Sequence, residues 1–143
     1  MKASSRKKVA IIGGGATGAI VALSILRKWG PAFEVFIVEP ALLLAAGQAY
    51  RQQSEKNILN VRVEKMSAYE DDANDFVNWL REKKQNQQSV LTWPYLARQS
   101  YGDYLRSRLQ SFDQNNWRHV QDRATSVQQK SGFLKFSCKA VLA

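Results

Sequence analysis

Apolar residues recur along this chain with two different periods. From Val9 to Ile12 they are consecutive, without polar alternation, which predicts a short strand buried on both faces of a parallel sheet. From Ala16 to Trp29 they return at Ala19, Ile20, Leu23 and Leu26, spacings of three and four that predict a helix, with Gly30 and Pro31 as its stop. Phe33 to Val38, apolar apart from Glu34, reads as a second strand. Strand, helix and strand in that order predict an α/β fold built on a parallel sheet.

Further along, the pattern weakens. Residues 40–53 read as a loop with one helical turn, and Ile58, Leu59, Asn60 and Val61 as a short extended piece. Asp71, Asp72 and Asn74 supply N-cap chemistry for a helix carrying Phe76, Val77, Trp79 and Leu80. That helix fades into the polar run from Glu82 to Gln88, expected to be a mobile surface segment, followed by an aromatic turn at Trp93, Pro94 and Tyr95. Another helix is expected from Ser100 or Tyr101, with Tyr104, Leu105, Leu109 and Phe112 on one face and Asn115 and Asn116 at its end. Trp117 to Val120 reads as a third parallel strand, and Ala124–Gln129 and Phe133–Ser137 as a hairpin turning at Ser131 and Gly132.

The chemistry concentrates between the first strand and the first helix. Gly13, Gly15 and Gly18 follow the strand at G-x-G-x-x-G spacing. In such a motif the first glycine permits the tight turn and the second lets backbone approach a pyrophosphate. The third keeps the helix close to its strand, and the helix aims its free N–H groups at the phosphates. Glu39 stands at the carboxyl end of the second strand, 26 residues beyond Gly13. An acid there accepts hydrogen bonds from the hydroxyls of an adenosine ribose and repels a 2′-phosphate, which favours FAD or NAD over NADP. Cofactor-binding residues are therefore expected at Gly13, Gly14, Gly15, Ala16, Thr17, Gly18, Glu39 and Pro40.

Composition narrows the remaining classes. At 143 residues the chain has room for one domain, spanning 1–143, and four Trp, five Tyr and six Phe argue against disorder. Its apolar stretches are broken by Glu39, Pro40 and Gly47, too early to span a bilayer. The basic start lacks an apolar signal core, and one cysteine, Cys138, allows no internal disulfide, so a cytoplasmic location is expected. The net charge of +9 admits nucleic acid as a partner, but the basic residues are scattered and only Arg6, Lys7 and Lys8 form a run. Neither nucleic acid nor a membrane is expected to bind.

Four stretches together resemble the bacterial FAD/NAD(P)-binding flavoproteins of the glutathione-reductase-like, two-dinucleotide-fold class. They are the glycine turn with Glu39; G-Q-A-Y at Gly47–Tyr50; the run from Ile58 to Leu80 carrying Leu59, Asn60, Val61, Met66, Ser67, Asp71, Asp72, Phe76 and Trp79; and Arg98, Tyr101, Gly102, Tyr104 and Leu105. The second resembles a family loop of form G-x-G-x-A-Y, with Ala45 where the family has its first glycine, a departure that bears on the loop's shape. The resemblance implies a partial Rossmann-like sheet with a carboxy-terminal hairpin and FAD as cofactor, NAD being the alternative. It also implies that Asn60 and Met66 lie on the segment leading toward the flavin, with Arg98 a further flavin or substrate contact. Family members are several times longer and contain a second nucleotide domain. The expected identity is thus the amino-terminal part of a flavin-dependent oxidoreductase or monooxygenase, either a truncated product or one half of a split enzyme in which a second chain supplies the missing half. A non-enzymatic remnant and a simple NAD-binding module are the competing expectations.

No catalytic group stands out. His119 is the only histidine and lacks the companions a metal site needs, so a structural role is expected and no metal. Cys138 has no C-x-x-C partner and reads as a small core residue. Tyr101, Tyr104, Trp79 and Trp93 read as core aromatics. A flavin enzyme is consistent with this, since the cofactor carries the electron chemistry and the protein orients it.

Overall fold

In a computed structural model of the chain, which describes residues 6–50, 57–83 and 96–139, the first strand, helix and second strand lie where the apolar pattern puts them. They are β1 (Lys7–Ile12), α1 (Ala16–Trp29) and β2 (Phe33–Val38). Helix α1 buries Ala19, Ala22, Leu23 and Leu26, one stripe at helical spacing, against the sheet. Its last turn carries Arg27 and Lys28, which favour the negative end of the helix dipole. Gly30 then takes a φ of +35° and returns its N–H to the Leu26 carbonyl, and Pro31 lies in the single 3₁₀ turn Gly30–Ala32 that follows.

Strand β2 is central. It pairs in parallel with β1 on one side (Val9 opposite Val35, Ile11 opposite Ile37) and with β3 (Trp117–Val120) on the other. The order β1-β2-β3 leaves Val35 and Ile37 fully buried. The same order corrects one expectation. Strand β1 is an edge strand: among the described residues nothing pairs with its outer side, and Ile12 is 51% exposed where two-sided burial was expected.

The core is completed by α3 (Asp75–Lys83) and α4 (Arg98–Gln110), which contribute Phe76, Trp79, Leu80, Tyr101, Tyr104, Leu105 and Leu109. Phe76 packs at 4.8 Å from the Tyr104 ring and 5.3 Å from Tyr101. The aromatics expected in the core are there; Trp93, Pro94 and Tyr95, the polar run beyond Lys83 and the last four residues lie outside the described residues. Helix α4 starts at Arg98, earlier than expected, because a bridge between Ile58 and Ala97 and the Leu59 N–H to Leu96 carbonyl bond (2.7 Å) anchor its entry. It stops at Gln110, before Asn115, where the Ser111 hydroxyl turns back onto the Arg108 carbonyl.

A buried polar cluster ties these helices to the segment before α3. Asp75 accepts from the Tyr104 hydroxyl (2.6 Å) and from Arg108 through both oxygens (2.9 Å each), while Tyr104 accepts the Ala68 N–H at 3.0 Å. Asp71 does other work than the capping expected of it, while Asp72 acts at the entry to α3 through its carbonyl, which accepts the Asp75 N–H at 3.2 Å. The Asp71 carboxylate pairs with Arg27 at 3.1 Å, and the Asp72 carbonyl also takes the Ser67 hydroxyl.

Strands β4 (Arg123–Lys130) and β5 (Phe133–Lys139) form the expected antiparallel hairpin, turning at Gly132 with a φ of +82°. Both faces of the ribbon meet solvent, so Val127 and Leu134 on one and Phe133 on the other are exposed, and Cys138 is exposed as well and does not join the core.

Two outcomes are expected from the buried cluster. Tyr104→Phe leaves the Ala68 N–H unpaired and costs about 1–3 kcal/mol in urea denaturation, while Arg108→Met leaves the Asp75 carboxylate uncompensated and costs about 3–5 kcal/mol. Burial pushes the Tyr101 phenol up to about 12, and burial together with the bond to Asp75 raises Tyr104 further. The stability these phenols contribute is fully present below the ordinary tyrosine pKa of about 10 and is lost as pH climbs through the raised values. Denaturation midpoints are therefore expected to fall only at strongly alkaline pH, together with the rise in tyrosinate absorbance.

Candidate functional site

The glycine turn is held from two sides. Gly13 takes a φ of +101°, which no side-chain-bearing residue adopts readily, and donates its N–H to the Val38 carbonyl at 2.9 Å. This pins the turn to the end of β2. A methyl group on Gly18 would sit 2.0 Å from the Gly13 carbonyl oxygen, so only a glycine lets α1 lie this close to its strand. On Gly15, by contrast, a methyl would meet nothing nearer than the Gly47 Cα at 3.9 Å. Gly15 caps α1 without any side-chain hydrogen bond, and the first turn of the helix carries no acid. Its amides are thus left for an anion.

Facing Gly15 is a second wall, the loop from Leu44 leading into the one-turn helix α2 (Gly47–Tyr50). Ala45 has a φ of +57°, the left-handed conformation a glycine would take more cheaply, and its N–H reaches the Gly14 carbonyl at 2.6 Å. The alanine therefore preserves the glycine-like bend, at a cost of about 1–2 kcal/mol. Helix α4 supports the loop from behind. Arg106 donates to the Leu44 carbonyl at 3.0 Å and is held by Asp103, and a methyl on Gly102 would press to 3.1 Å from the carbonyls of both Ala45 and Tyr50. Between the walls lies a cavity of about 590 Å³, lined by Gly13, Gly15, Ala16, Thr17 and Gly18 on one side and Gly47 through Tyr50 on the other. That volume is within the range of cofactor pockets. The residues of α2 were not expected as site residues, although the family-like G-Q-A-Y run was a signal for them; Gly47, at its start, also has a positive φ, of +45°.

Glu39 does not line this cavity; it grips the turn at Gly14. One carboxylate oxygen accepts the Gly14 N–H at 2.8 Å and the other the Ala41 N–H at 3.0 Å. Gly14 is buried, and a methyl there would fall 2.7 Å from the Glu39 Cβ, so a bare backbone is what lets the acid close in. A carboxylate has about four lone-pair sites, and two remain for a ligand. Pro40 follows, exposed, and turns the chain away.

The remaining candidates stand apart. Asn60 is exposed, Met66 packs against the core, and neither lines the cavity. Arg98 spends its Nε on the Ile58 carbonyl at 3.0 Å, anchoring the entry to α4. Among the described residues no group of three or more His, Cys, Asp or Glu could hold a metal, and no helix is long and apolar enough to cross a membrane.

A family model described as FAD-NAD(P)-binding matches residues 10–139. The chain belongs to this family. A flavin or nicotinamide dinucleotide is accordingly the ligand class of the FAD-NAD(P)-binding domain. Its architecture is similar to that of reduced ornithine hydroxylase from Pseudomonas aeruginosa, at a TM-score of 0.64 and 20% identity over 95% of this chain and 34% of that one. FqzB is similar at a TM-score of 0.56 and 11% identity, over 92% of this chain and 32% of that one. The chain therefore spans about a third of the length of these structures. No curated protein matches it in sequence.

Two of the three motif glycines are expected to separate by stability. Gly18→Ala gains about 1 kcal/mol of helix propensity but drives a methyl into backbone, so its urea midpoint falls by the equivalent of at least about 2 kcal/mol net. Gly15→Ala is expected within about 1 kcal/mol of the parent.

Proposed function

We propose that the chain is the amino-terminal, FAD-binding part of a flavin-dependent oxidoreductase or monooxygenase of the two-dinucleotide-fold class, acting in the cytoplasm. The observation that carries this is the Glu39 carboxylate at the glycine turn, with two acceptor positions left over beside a helix terminus free of side-chain caps. The residues present fit the adenosine diphosphate half of the cofactor. Gly13 to Gly18 would receive the pyrophosphate on backbone amides, and the ribose diol would be taken by Glu39, with Pro40 directing the chain away. Gly47 would complete the slot, because its lack of a side chain keeps the opposite wall open. Asn60 and Met66 belong, in this reading, to the segment running toward the isoalloxazine.

When bound, the flavin supplies the electron chemistry. This chain's own contribution is to bind and orient: helix amides neutralise the phosphates, and the acid discriminates against a 2′-phosphate. The rest of the enzyme, with substrate and electron donor, would come from further sequence or a second chain. NAD is the second reading, because the adenosine half is common to both dinucleotides and the acid serves either one.

Titration of the purified chain with FAD, NAD⁺ and NADP⁺ separates the readings. FAD is expected to bind and colour the protein yellow, NADP⁺ to bind at least about tenfold more weakly than NAD⁺, and Glu39→Gln to weaken FAD by roughly tenfold. Gly15→Val is expected to fold, since the free protein has room for the side chain, and to lose FAD by filling the slot. Undiminished FAD binding in that variant, or no dinucleotide binding by the parent, overturns the proposal.

A further inference from the structure

The sole histidine of the chain lies next to the ribose-binding acid proposed above. His119 is in β3, opposite Ile37 in the register of the sheet, and its Nε2 is 2.9 Å from the carbonyl oxygen of Glu39. A carbonyl only accepts, so Nε2 carries the proton and donates. The next residue of β3 holds the other end of the same unit: the Glu39 N–H donates to the Val120 carbonyl at 3.0 Å. Pro40 restricts Glu39 further, since a residue before proline is driven to extended backbone. The side chain, in turn, has both oxygens on backbone amides, those of Gly14 and Ala41.

We infer that His119 is a positioning residue for the dinucleotide site: by holding the Glu39 carbonyl it fixes the peptide from which the carboxylate reaches the glycine turn and the ribose. This rests on the reading of Glu39 as the ribose acceptor. Beyond Val38 the ladder with β3 is finished: the Glu39 N–H is tied to the Val120 carbonyl, but the Glu39 carbonyl, which heads the peptide to Pro40, has no backbone donor of β3 to meet it. Proline supplies no N–H of its own to continue the pairing. The imidazole occupies that vacancy in the ladder, extending the grip of β3 one carbonyl further than backbone alone allows. Removing it frees rotation about the Glu39 ψ, and the carboxylate then loses its common register with Gly14 and Ala41.

The test combines amide hydrogen exchange by NMR with titration by ADP and 2′-deoxy-ADP, on the full chain. In His119→Leu the Gly14 and Ala41 amides are expected to exchange about tenfold faster, while Leu23 and Leu26 in α1 and Val35 and Ile37 in β2 stay protected. The preference for ADP over its 2′-deoxy analogue is expected to shrink by about fivefold in the same variant. His119→Gln keeps an N–H donor of similar reach and is expected to restore both readouts. Unchanged exchange at Gly14 and Ala41 in His119→Leu overturns the inference. So does faster exchange throughout β2, which marks general loosening, or failure of the glutamine to restore. If the parent chain binds neither nucleotide, the cofactor reading fails, and the exchange result alone decides for or against His119.

Discussion

The contact on which the site depends is the hydrogen bond from the Gly14 amide to the Glu39 carboxylate. It joins the end of β2 to the turn between β1 and α1, at a place where any side chain on residue 14 would hold the two apart. A charge-assisted bond of this kind is about twice as strong as a neutral one, and here it acts in a partly buried setting. The Gly13 N–H to Val38 carbonyl bond runs between the same two elements, so turn and acid are registered to each other by a pair of links. The helix terminus and the carboxylate consequently keep a fixed separation.

Around that pair the fold is arranged as support at increasing distance. The loop from Leu44 to Gly47 leans on the turn through the Ala45 N–H, and α4 braces the loop through Arg106 and the close approach at Gly102. Helix α4 is itself fixed by Tyr104 and Arg108 converging on Asp75. Residues far from the cavity thus set its second wall, and the Y-G-x-Y run of α4 has a physical explanation in packing without contacting any ligand: Tyr101 against Tyr50, Gly102 under the loop, Tyr104 on Asp75.

Much of the fold was legible in the sequence because local signals agreed there. Val9–Ile12, the Ala19-Leu23-Leu26 stripe, Gly30-Pro31 and Phe33–Val38 each point to one element, and the hairpin has its Ser131-Gly132 turn. Of the candidate site, the glycine turn was legible where its spacing is local in sequence, at Gly13–Gly18, whereas the place of Glu39, on the Gly14 amide and outside the cavity lining, was not. Nor was the site legible where contacts are long-range. Beyond the family's glycine at that place, nothing local to residue 45 announces a left-handed alanine, since the hydrogen bond that compensates for it is accepted by the carbonyl of Gly14, far away in sequence. Asp71 and Asp72 resembled caps by spacing, but Arg27 of another helix claims the first of them. Cys138 read as core because small apolar residues usually are, whereas both faces of this ribbon meet solvent.

Strand β1 carries the glycine turn at its tip yet, among the described residues, is hydrogen-bonded along one side only. An element so placed frays more readily than β2, and each fraying event dissolves the geometry that a ligand recognises. Affinity is then diminished by the fraction of time the rim is undone, and an occupant repays the difference by damping the motion. In this molecule binding strength and the integrity of one border are a single thermodynamic quantity, so a substitution that merely stiffens β1 would tighten ligand binding without touching the ligand.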